Sequence, residues 1–132
     1  MMLTCKGMEA AMKVLIVDDN ASFLTAVSYV LRDLGAEVGV ASTAESACAL
    51  VATEDYDCVL LDLHMPEHDG LWFLRNSRLP ASTRVILMSG FVPFNILRSM
   101  SALGISEFLH KPFDGARLMK SLQGSVNAPA YA

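Results

Sequence analysis

The stretch CVLLDLHMPEHDG, residues 58–70, changes from an apolar run to a polar loop at one carboxylate, Asp62. Short apolar runs bounded by turn residues are typical of strands in the interior of a sheet. Pro66 and Gly70 then mark a loop that leads to the next element. The stretch therefore predicts a buried strand over residues 57–61 with an acid at its carboxyl end.

Similar apolar runs alternate with amphipathic segments from residue 13 onward. This alternation indicates an α/β fold, in which βα units build a parallel sheet with helices on both faces. The other predicted strands cover residues 13–17, 37–41, 84–89 and 106–110. Helices are predicted before Gly35, after Ser42, and over residues 71–77, 93–102 and 114–122.

Local signals support the first two helices. Ser42 and Glu45 have the spacing of a capping box at the start of the second helix. Gly35 is a suitable residue to end the first helix. The predicted core face of the first helix consists of Phe23, Val27, Val30, Leu31 and Leu34.

The 132 residues correspond to one domain, expected over residues 12–123. Residues 1–11 are expected to be a poorly ordered extension, and residues 124–132 a tail. Asp and Glu outnumber Lys and Arg by 14 to 10, which gives a formal charge of −4. That balance gives no electrostatic reason to expect direct binding of nucleic acid or of an anionic membrane.

Cysteine spacing and hydropathy favour a cytoplasmic protein. Cys5, Cys48 and Cys58 are odd in number and have neither disulfide-framework nor zinc-site spacing. Cys58 is expected to be an inert core thiol. No apolar run is long enough for a membrane span or for the core of a signal peptide.

Polar residues follow the predicted strands at one edge of the sheet, where ligands of open α/β sheets bind. The candidates are Asp18, Asp19, Asp62, Ser89 and Lys111. Crowded carboxylates repel one another unless a cation neutralises them, and Mg²⁺ prefers oxygen ligands. The set therefore predicts a metal-assisted phosphoryl site. Asp62 is the expected nucleophile, while Ser89 and Lys111 would contact phosphoryl oxygens.

The segments LIVDD, LLDLHMPEHDG, VILMSG and EFLHKP, in this order, resemble the receiver domain of two-component response regulators over about residues 12–123. The resemblance implies a flavodoxin-like sheet of five parallel strands in the order 2-1-3-4-5. It also implies that Asp62 accepts a phosphoryl group from a sensor histidine kinase or a histidine phosphotransfer protein. On this basis the chain is a signalling phosphoacceptor rather than an enzyme with a separate substrate.

The resemblance also assigns residue roles. Asp18, Asp19 and Asp62 would hold Mg²⁺ together with the backbone carbonyl of His64. The switch hydroxyl would be Ser89, the phosphoryl-binding lysine Lys111 and the switch aromatic Phe108. The fourth helix, fifth strand and fifth helix would form the face that changes to signal to an output protein or to form a homodimer.

The sequence departs from the common family pattern, or varies within it, at two places. Phe108 replaces a more common tyrosine and has no hydroxyl to donate. His64 and Phe91 lie two residues after Asp62 and Ser89, and they would flank the path of water to an acyl phosphate. Their bulk is expected to slow dephosphorylation.

These residues also have other interpretations. Asp18 and Asp19 alone are also typical of a turn that starts a helix. His64 and His68 have HxxxH spacing, but Pro66 lies between them, so a helical zinc site is not favoured. The alternative functions are a phosphorylation-independent docking module and an Asp-based phosphohydrolase. Such phosphohydrolases have a D-x-D nucleophile motif, whereas here the residue two after Asp62 is His64.

Overall fold

The computed structural model describes residues 2–4 and 10–124, and strands and helices alternate through them. The strands are β1 Lys13–Val17, β2 Glu37–Ala41, β3 Cys58–Asp62, β4 Arg84–Ser89 and β5 Glu107–His110. The helices are α1 Ala21–Asp33, α2 Ala44–Thr53, α3 Gly70–Asn76, α4 Phe94–Ser99 and α5 Gly115–Gly124. All strand pairs are parallel and the order is β2-β1-β3-β4-β5, as predicted. Within the described residues, no helix is long and apolar enough to cross a bilayer.

The sheet has an apolar core on each face because neighbouring residues of a strand point to opposite sides. Ile16 and Leu60 belong to the core that packs under α1 and α5. Leu15 and Leu61 belong to the core that packs under α2, α3 and α4. Double coverage explains why β3 is buried along its whole length.

The strand order reverses between β1 and β3. The chain runs from β1 outward to β2 and then returns to β3 on the other side of β1. Val17 pairs with Leu61, so the residues that follow β1 lie beside the end of β3. In an open α/β sheet a ligand crevice forms at such a reversal. This topology places Asp18 and Asp62 next to one another.

The core face of α1 was predicted only in part, and the capping box of α2 was predicted at the wrong residues. The buried residues of α1 are Leu24, Val27, Ser28 and Leu31, whereas Val30 is 38% exposed. The core stripe follows i, i+3, i+4 and i+7 from Leu24, and the half-buried Phe23 and Leu34 pack beside it. The capping box of α2 uses Thr43 and Ser46, not Ser42 and Glu45, because Thr43 is the last extended residue before the helix.

Element boundaries also differ from prediction by a few residues. β3 extends through Asp62, so that carboxylate belongs to the strand itself. α4 is shorter than the predicted range 93–102. A turn follows α4 and reaches Gly104, which has a φ of 79°, a backbone conformation that favours glycine.

Part of the expected N-terminal extension packs against the domain. Leu3 is 1% exposed and contributes to the core under α1. Its N–H donates to Leu34 O at 2.8 Å, and its carbonyl accepts from Met12 N at 3.2 Å. Residues 1 and 5–9, including Cys5, and the tail beyond residue 124 lie outside the described residues.

We expect Leu3→Ala to lower the free energy of unfolding by about 2 kcal/mol. Leucine-to-alanine changes in cores typically lower the free energy of unfolding by about 2–5 kcal/mol. Because a short terminal segment can detach from the domain, we expect the loss at Leu3 to lie at the low end of this range. Urea unfolding followed by the fluorescence of Trp72, the sole tryptophan, would measure the change. Leu97→Ala, at a partly exposed position, should cost less; equal losses would contradict a packed role for Leu3.

Candidate functional site

Three carboxylates meet at the reversal point of the sheet. Asp18 and Asp19 follow β1, and Asp62 ends β3. One potential ligand atom from each of the three lies within 4.8 Å of the others. Asp18 is 1% and Asp62 6% exposed, whereas Asp19 is open to solvent. The cluster thus combines two buried acids with one at the surface.

Backbone donors orient the two buried acids. Asn20 N donates to Asp18 Oδ1 at 2.9 Å, and His64 N donates to Asp62 Oδ1 at 3.3 Å. Asn20 is also the N-cap of α1, because its side chain accepts from Phe23 N at 3.0 Å. The turn that starts α1 therefore also fixes Asp18.

Lys111 brings a positive charge to the cluster from the end of β5. Its Nζ lies 2.5 Å from Asp18 Oδ2 and 3.8 Å from Asp62 Oδ1. The backbone of Lys111 is tied to β4 by a hydrogen bond from its N–H to Ser89 O at 2.8 Å. The Lys111–Pro112 peptide bond is cis. The positive charge of Lys111 therefore neutralises only part of the negative charge of the two buried carboxylates and the exposed one.

The pKa of Asp62 is raised to about 6, first by burial of the carboxyl group and then by the nearby Asp18 carboxylate. Lys111 and the His64 N–H act in the opposite direction, and Asp19 adds a smaller increase. The charged form of a carboxylate is disfavoured both by desolvation and by like charges. Asp62 is thus ionised at neutral pH but at a free-energy cost that a further cation would relieve.

The donor chemistry of the cluster fits a hard divalent cation. Its side-chain ligands are carboxylate oxygens, which Mg²⁺ and Ca²⁺ prefer, and it has no sulfur or imidazole ligand at the three positions. The net negative charge left after Lys111 is counted is also what such an ion requires. Among residues 2–4 and 10–124, Asp18, Asp19 and Asp62 are the group of three side chains that could hold a metal.

Ser89 is buried at the end of β4, and its hydroxyl is engaged by its own loop. Ser89 Oγ donates to Phe91 O at 2.6 Å and accepts from Phe91 N at 3.1 Å. His64 Nε2 lies 3.4 Å from the same carbonyl of Phe91. His64 and Phe91 thus connect the loop after β3 to the loop after β4. They are the two residues expected to flank the path of water to an acyl phosphate.

The remaining aromatic and thiol candidates lie away from the carboxylates. Phe108 is half-buried on β5 and its ring meets the exposed His110 ring edge-on, with centroids 6.0 Å apart. His68 stacks on Trp72 with ring centroids 4.1 Å apart. Neither His64 nor His68 belongs to the group of three potential metal ligands found among the described residues. Burial raises the pKa of Cys58 to about 12, in keeping with an unreactive core thiol.

Gly70 allows the start of α3 to approach β3 closely. A Cβ at this position would lie 2.6 Å from Asp62 O and 3.2 Å from Leu61 Cγ. Gly70 N also donates to Leu63 O at 3.1 Å. The absence of a side chain therefore helps to set the backbone on which Asp62 stands.

We expect Gly70→Ala to lower the free energy of unfolding by about 2 kcal/mol, because the new methyl group would collide with backbone that cannot move freely. Chemical denaturation would measure the loss. Gly115→Ala is a matched control, since Gly115 also begins a helix but a Cβ there would meet nothing within 4 Å. If both variants lost the same stability, close approach at Gly70 would not be the cause.

Sequence reasoning did not find the contact between Phe23 and Lys111. Phe23 was assigned to the core face of α1, but Lys111 Nζ lies over its ring at 4.3 Å from the centroid. Phe23 is the third residue of α1, a helix that begins two residues after Asp19. This short separation along the chain was the available signal that Phe23 lies near the acids.

Most of this chain matches one protein family and parts of longer curated proteins. Residues 14–123 match the family described as response regulator receiver domain. The sensory/regulatory protein RpfC of Xanthomonas campestris is 32% identical over 117 residues, which cover 85% of this chain and 16% of that protein. A protein-glutamate methylesterase/protein-glutamine glutaminase of Cereibacter sphaeroides is 37% identical over 120 residues, covering 87% of this chain and 33% of that protein. The chain therefore spans only a minor part of these curated relatives.

Solved structures agree with the fold. The chemotaxis protein CheY4 of Vibrio cholerae superposes with a TM-score of 0.80 at 31% identity, covering 86% of this chain and 98% of that one. The receiver domain of the sensor histidine kinase PA1611 of Pseudomonas aeruginosa, solved with a magnesium ion in its active site cleft, has a TM-score of 0.75 at 26% identity. That match covers 86% of this chain and 96% of the receiver domain.

Proposed function

Because the chain belongs to the response regulator receiver domain family, we propose that it is a signalling phosphoacceptor whose Asp62 receives a phosphoryl group. The donor would be the phosphohistidine of a sensor histidine kinase or of a histidine phosphotransfer protein. Names among the relatives include a sensor protein and transcriptional regulators, which supports a place in such a relay. The observation that carries the proposal is the buried Asp62 carboxylate beside Asp18, Asp19 and the Lys111 ammonium.

The proposed step is an in-line displacement at phosphorus. A carboxylate oxygen of Asp62 attacks the phosphorus atom and the P–N bond breaks. The electron pair stays on the ring nitrogen of a donor imidazole that is protonated on its other nitrogen. The product is an acyl phosphate on Asp62 and a neutral histidine on the donor. A pKa of about 6 leaves Asp62 mainly ionised at neutral pH, as a nucleophile must be.

Asp18, Asp19 and Asp62 would hold Mg²⁺, with the backbone carbonyl of His64 as a further ligand. When bound, the ion supplies positive charge that offsets the carboxylates and the incoming phosphoryl oxygens. Lys111 would contact a phosphoryl oxygen as a point charge. Its ammonium already lies 3.8 Å from Asp62 Oδ1, so it would need to move little.

Phosphorylation would switch the domain through Ser89 and Phe108. To reach a phosphoryl oxygen, the Ser89 hydroxyl must leave Phe91 O, which would release the loop before α4. Phe108, now half-buried, would then move inward and change the face made of α4, β5 and α5. This is a shift between two populated states that an output protein, or a second copy, could read.

The chain would act in the cytoplasm and would catalyse only its own phosphorylation and dephosphorylation. His64 and Phe91, joined across the mouth of the site, would slow the attack of water on the acyl phosphate. Neither nucleic acid nor membrane is proposed as a direct partner of this chain.

Intact mass spectrometry after incubation with phosphoramidate and Mg²⁺ would test the proposal. We expect one phosphoryl adduct in the wild type, none after chelation with EDTA, and none in Asp62→Asn. An adduct that survives Asp62→Asn would move the acceptor to another residue. No adduct together with no Mg²⁺ binding would instead favour a docking module that works without phosphorylation.

A further inference from the structure

The Lys111 ammonium is bordered by an aromatic ring as well as by carboxylates. Its Nζ lies 4.3 Å from the centroid of Phe23, in addition to the contacts at 2.5 Å with Asp18 and 3.8 Å with Asp62. The side chain of Lys111 is nevertheless 25% exposed. The ring therefore covers a part of the ammonium that the two carboxylates leave uncovered.

Phe23 is itself held in place from two sides. Its N–H donates to the Asn20 side chain in the cap of α1. Its ring meets the ring of Phe113 at right angles, with centroids 5.8 Å apart, which is a favourable edge-to-face arrangement. Phe113 follows Lys111 by two residues, so α1 and the segment after β5 meet at this aromatic pair.

The face of an aromatic ring attracts a cation because the ring quadrupole is negative there. A flexible lysine in contact with solvent would otherwise spread over several rotamers, of which few bring Nζ close to both carboxylates. Contact with Phe23 restricts these alternatives without forming a hydrogen bond. The ammonium keeps all three protons for oxygen acceptors.

We propose that Phe23 is a positioning residue that holds the Lys111 ammonium against Asp18 and Asp62 through the face of its ring. This inference rests on the proposed phosphoacceptor function for its effect on rate. Phe23 does not touch the reacting atoms; it acts through Lys111. The same contact exists before any phosphoryl group arrives, so it can also be observed without the reaction.

Replacement of Phe23 by 4-fluoro-, 3,5-difluoro- and 3,4,5-trifluorophenylalanine would test the role of the ring face. The series weakens the negative face while nearly keeping ring shape. We expect the rate of phosphorylation by phosphoramidate to fall stepwise, reaching about threefold to tenfold, which is the range expected of one cation–π contact. Phe23→Tyr should keep the wild-type rate within about twofold, because its ring face is retained, and Phe23→Leu should be as slow as the most fluorinated protein.

Phe94 provides a matched control. Arg98 lies over its ring at 5.8 Å, and both residues are exposed on α4, apart from the carboxylates. The same fluorinated residues at Phe94 should leave the rate with phosphoramidate unchanged. Equal effects at both positions, or no trend at Phe23, would overturn the proposal. A small-molecule donor is used so that docking of a protein donor on α1 plays no part.

NMR of the unphosphorylated, Mg²⁺-free protein gives a readout that does not depend on function. We expect the ε-CH₂ protons of Lys111 to be shifted upfield by the ring current of Phe23, and this shift to vanish in Phe23→Leu and persist in Phe23→Tyr. Absence of the shift in the wild type would overturn the proposal even if Asp62 is phosphorylated. A present shift with no adduct in the wild type would show that the contact exists while the phosphoacceptor function fails.

Discussion

Lys111→Met is expected to lower the free energy of unfolding by about 3 kcal/mol in metal-free buffer at neutral pH. The substitution leaves Asp18, a carboxylate with 1% exposure, without the ammonium that now contacts it. Removing one partner of a buried ion pair typically costs about 3–5 kcal/mol, because the other charge stays desolvated. Loss of Lys111 would also raise the pKa of Asp62 further, since the ammonium now lowers it.

Mg²⁺ should rescue this variant. A divalent ion held by the three acids would replace the missing positive charge, so the stability gap between Lys111→Met and the wild type should narrow as Mg²⁺ is added. Without a competing ammonium, the variant should also bind Mg²⁺ about tenfold more tightly.

Urea unfolding with EDTA or Mg²⁺, together with calorimetric titration of Mg²⁺, would measure both effects of Lys111→Met. Lys120→Met, which removes an exposed lysine of α5, is the control and should change neither quantity. A Lys111→Met protein as stable as the wild type in EDTA would contradict the expected electrostatic role.

Asp62→Asn is expected to have the opposite effect and to stabilise the metal-free protein at neutral pH by about 3 kcal/mol. The pKa of Asp62 is about 6 in the folded protein, against an ordinary value of 3.8. Between these values the folded state binds more protons than the unfolded state, so stability falls as pH rises through this window. A tenfold difference in proton affinity between the two states corresponds to about 1.4 kcal/mol, and the full penalty is present above pH 6.

The pH dependence separates this explanation from a simple packing effect. The advantage of Asp62→Asn should be small at pH 4, grow between pH 4 and pH 6, and remain constant above. Added Mg²⁺ should reduce it, because the ion would stabilise only the wild-type carboxylate. Urea unfolding across this pH range would measure the advantage. Asp55→Asn, at an exposed carboxylate before β3, should show no such profile. An advantage that is the same at pH 4 and pH 7 would contradict the electrostatic cause.

Much of the fold was accessible from sequence because apolar periodicity reports directly on burial. The five strands were predicted to within about one residue, since doubly covered strands are continuously apolar. The strand order came only from the family resemblance, because periodicity does not say which strands are neighbours. The errors in the α1 face and in the α2 cap arose where neighbouring residues are chemically similar, as with Ser42 and Thr43.

The candidate acids were also identified before their geometry was known. Asp18, Asp19 and Asp62 stand out because polar residues directly follow apolar strands, and strand ends of a parallel sheet share one edge. Residue type and position therefore suggested the chemistry. The strength of the interactions could not be predicted in this way. The raised pKa of Asp62 depends on its burial and on its distances from Asp18 and Lys111, which follow other strands.

Sequence by itself thus determined the α/β class, the strands and which carboxylates gather, because burial pattern and strand polarity are local properties. Tertiary structure decided how those groups meet: Lys111 against Asp18, Ser89 against its own loop, and Phe23 over the ammonium. These contacts join residues as far as 93 positions apart in the chain. Ion pairs and ring contacts of this kind require the groups to lie within a few ångströms, so only the packed sheet and helices could fix them.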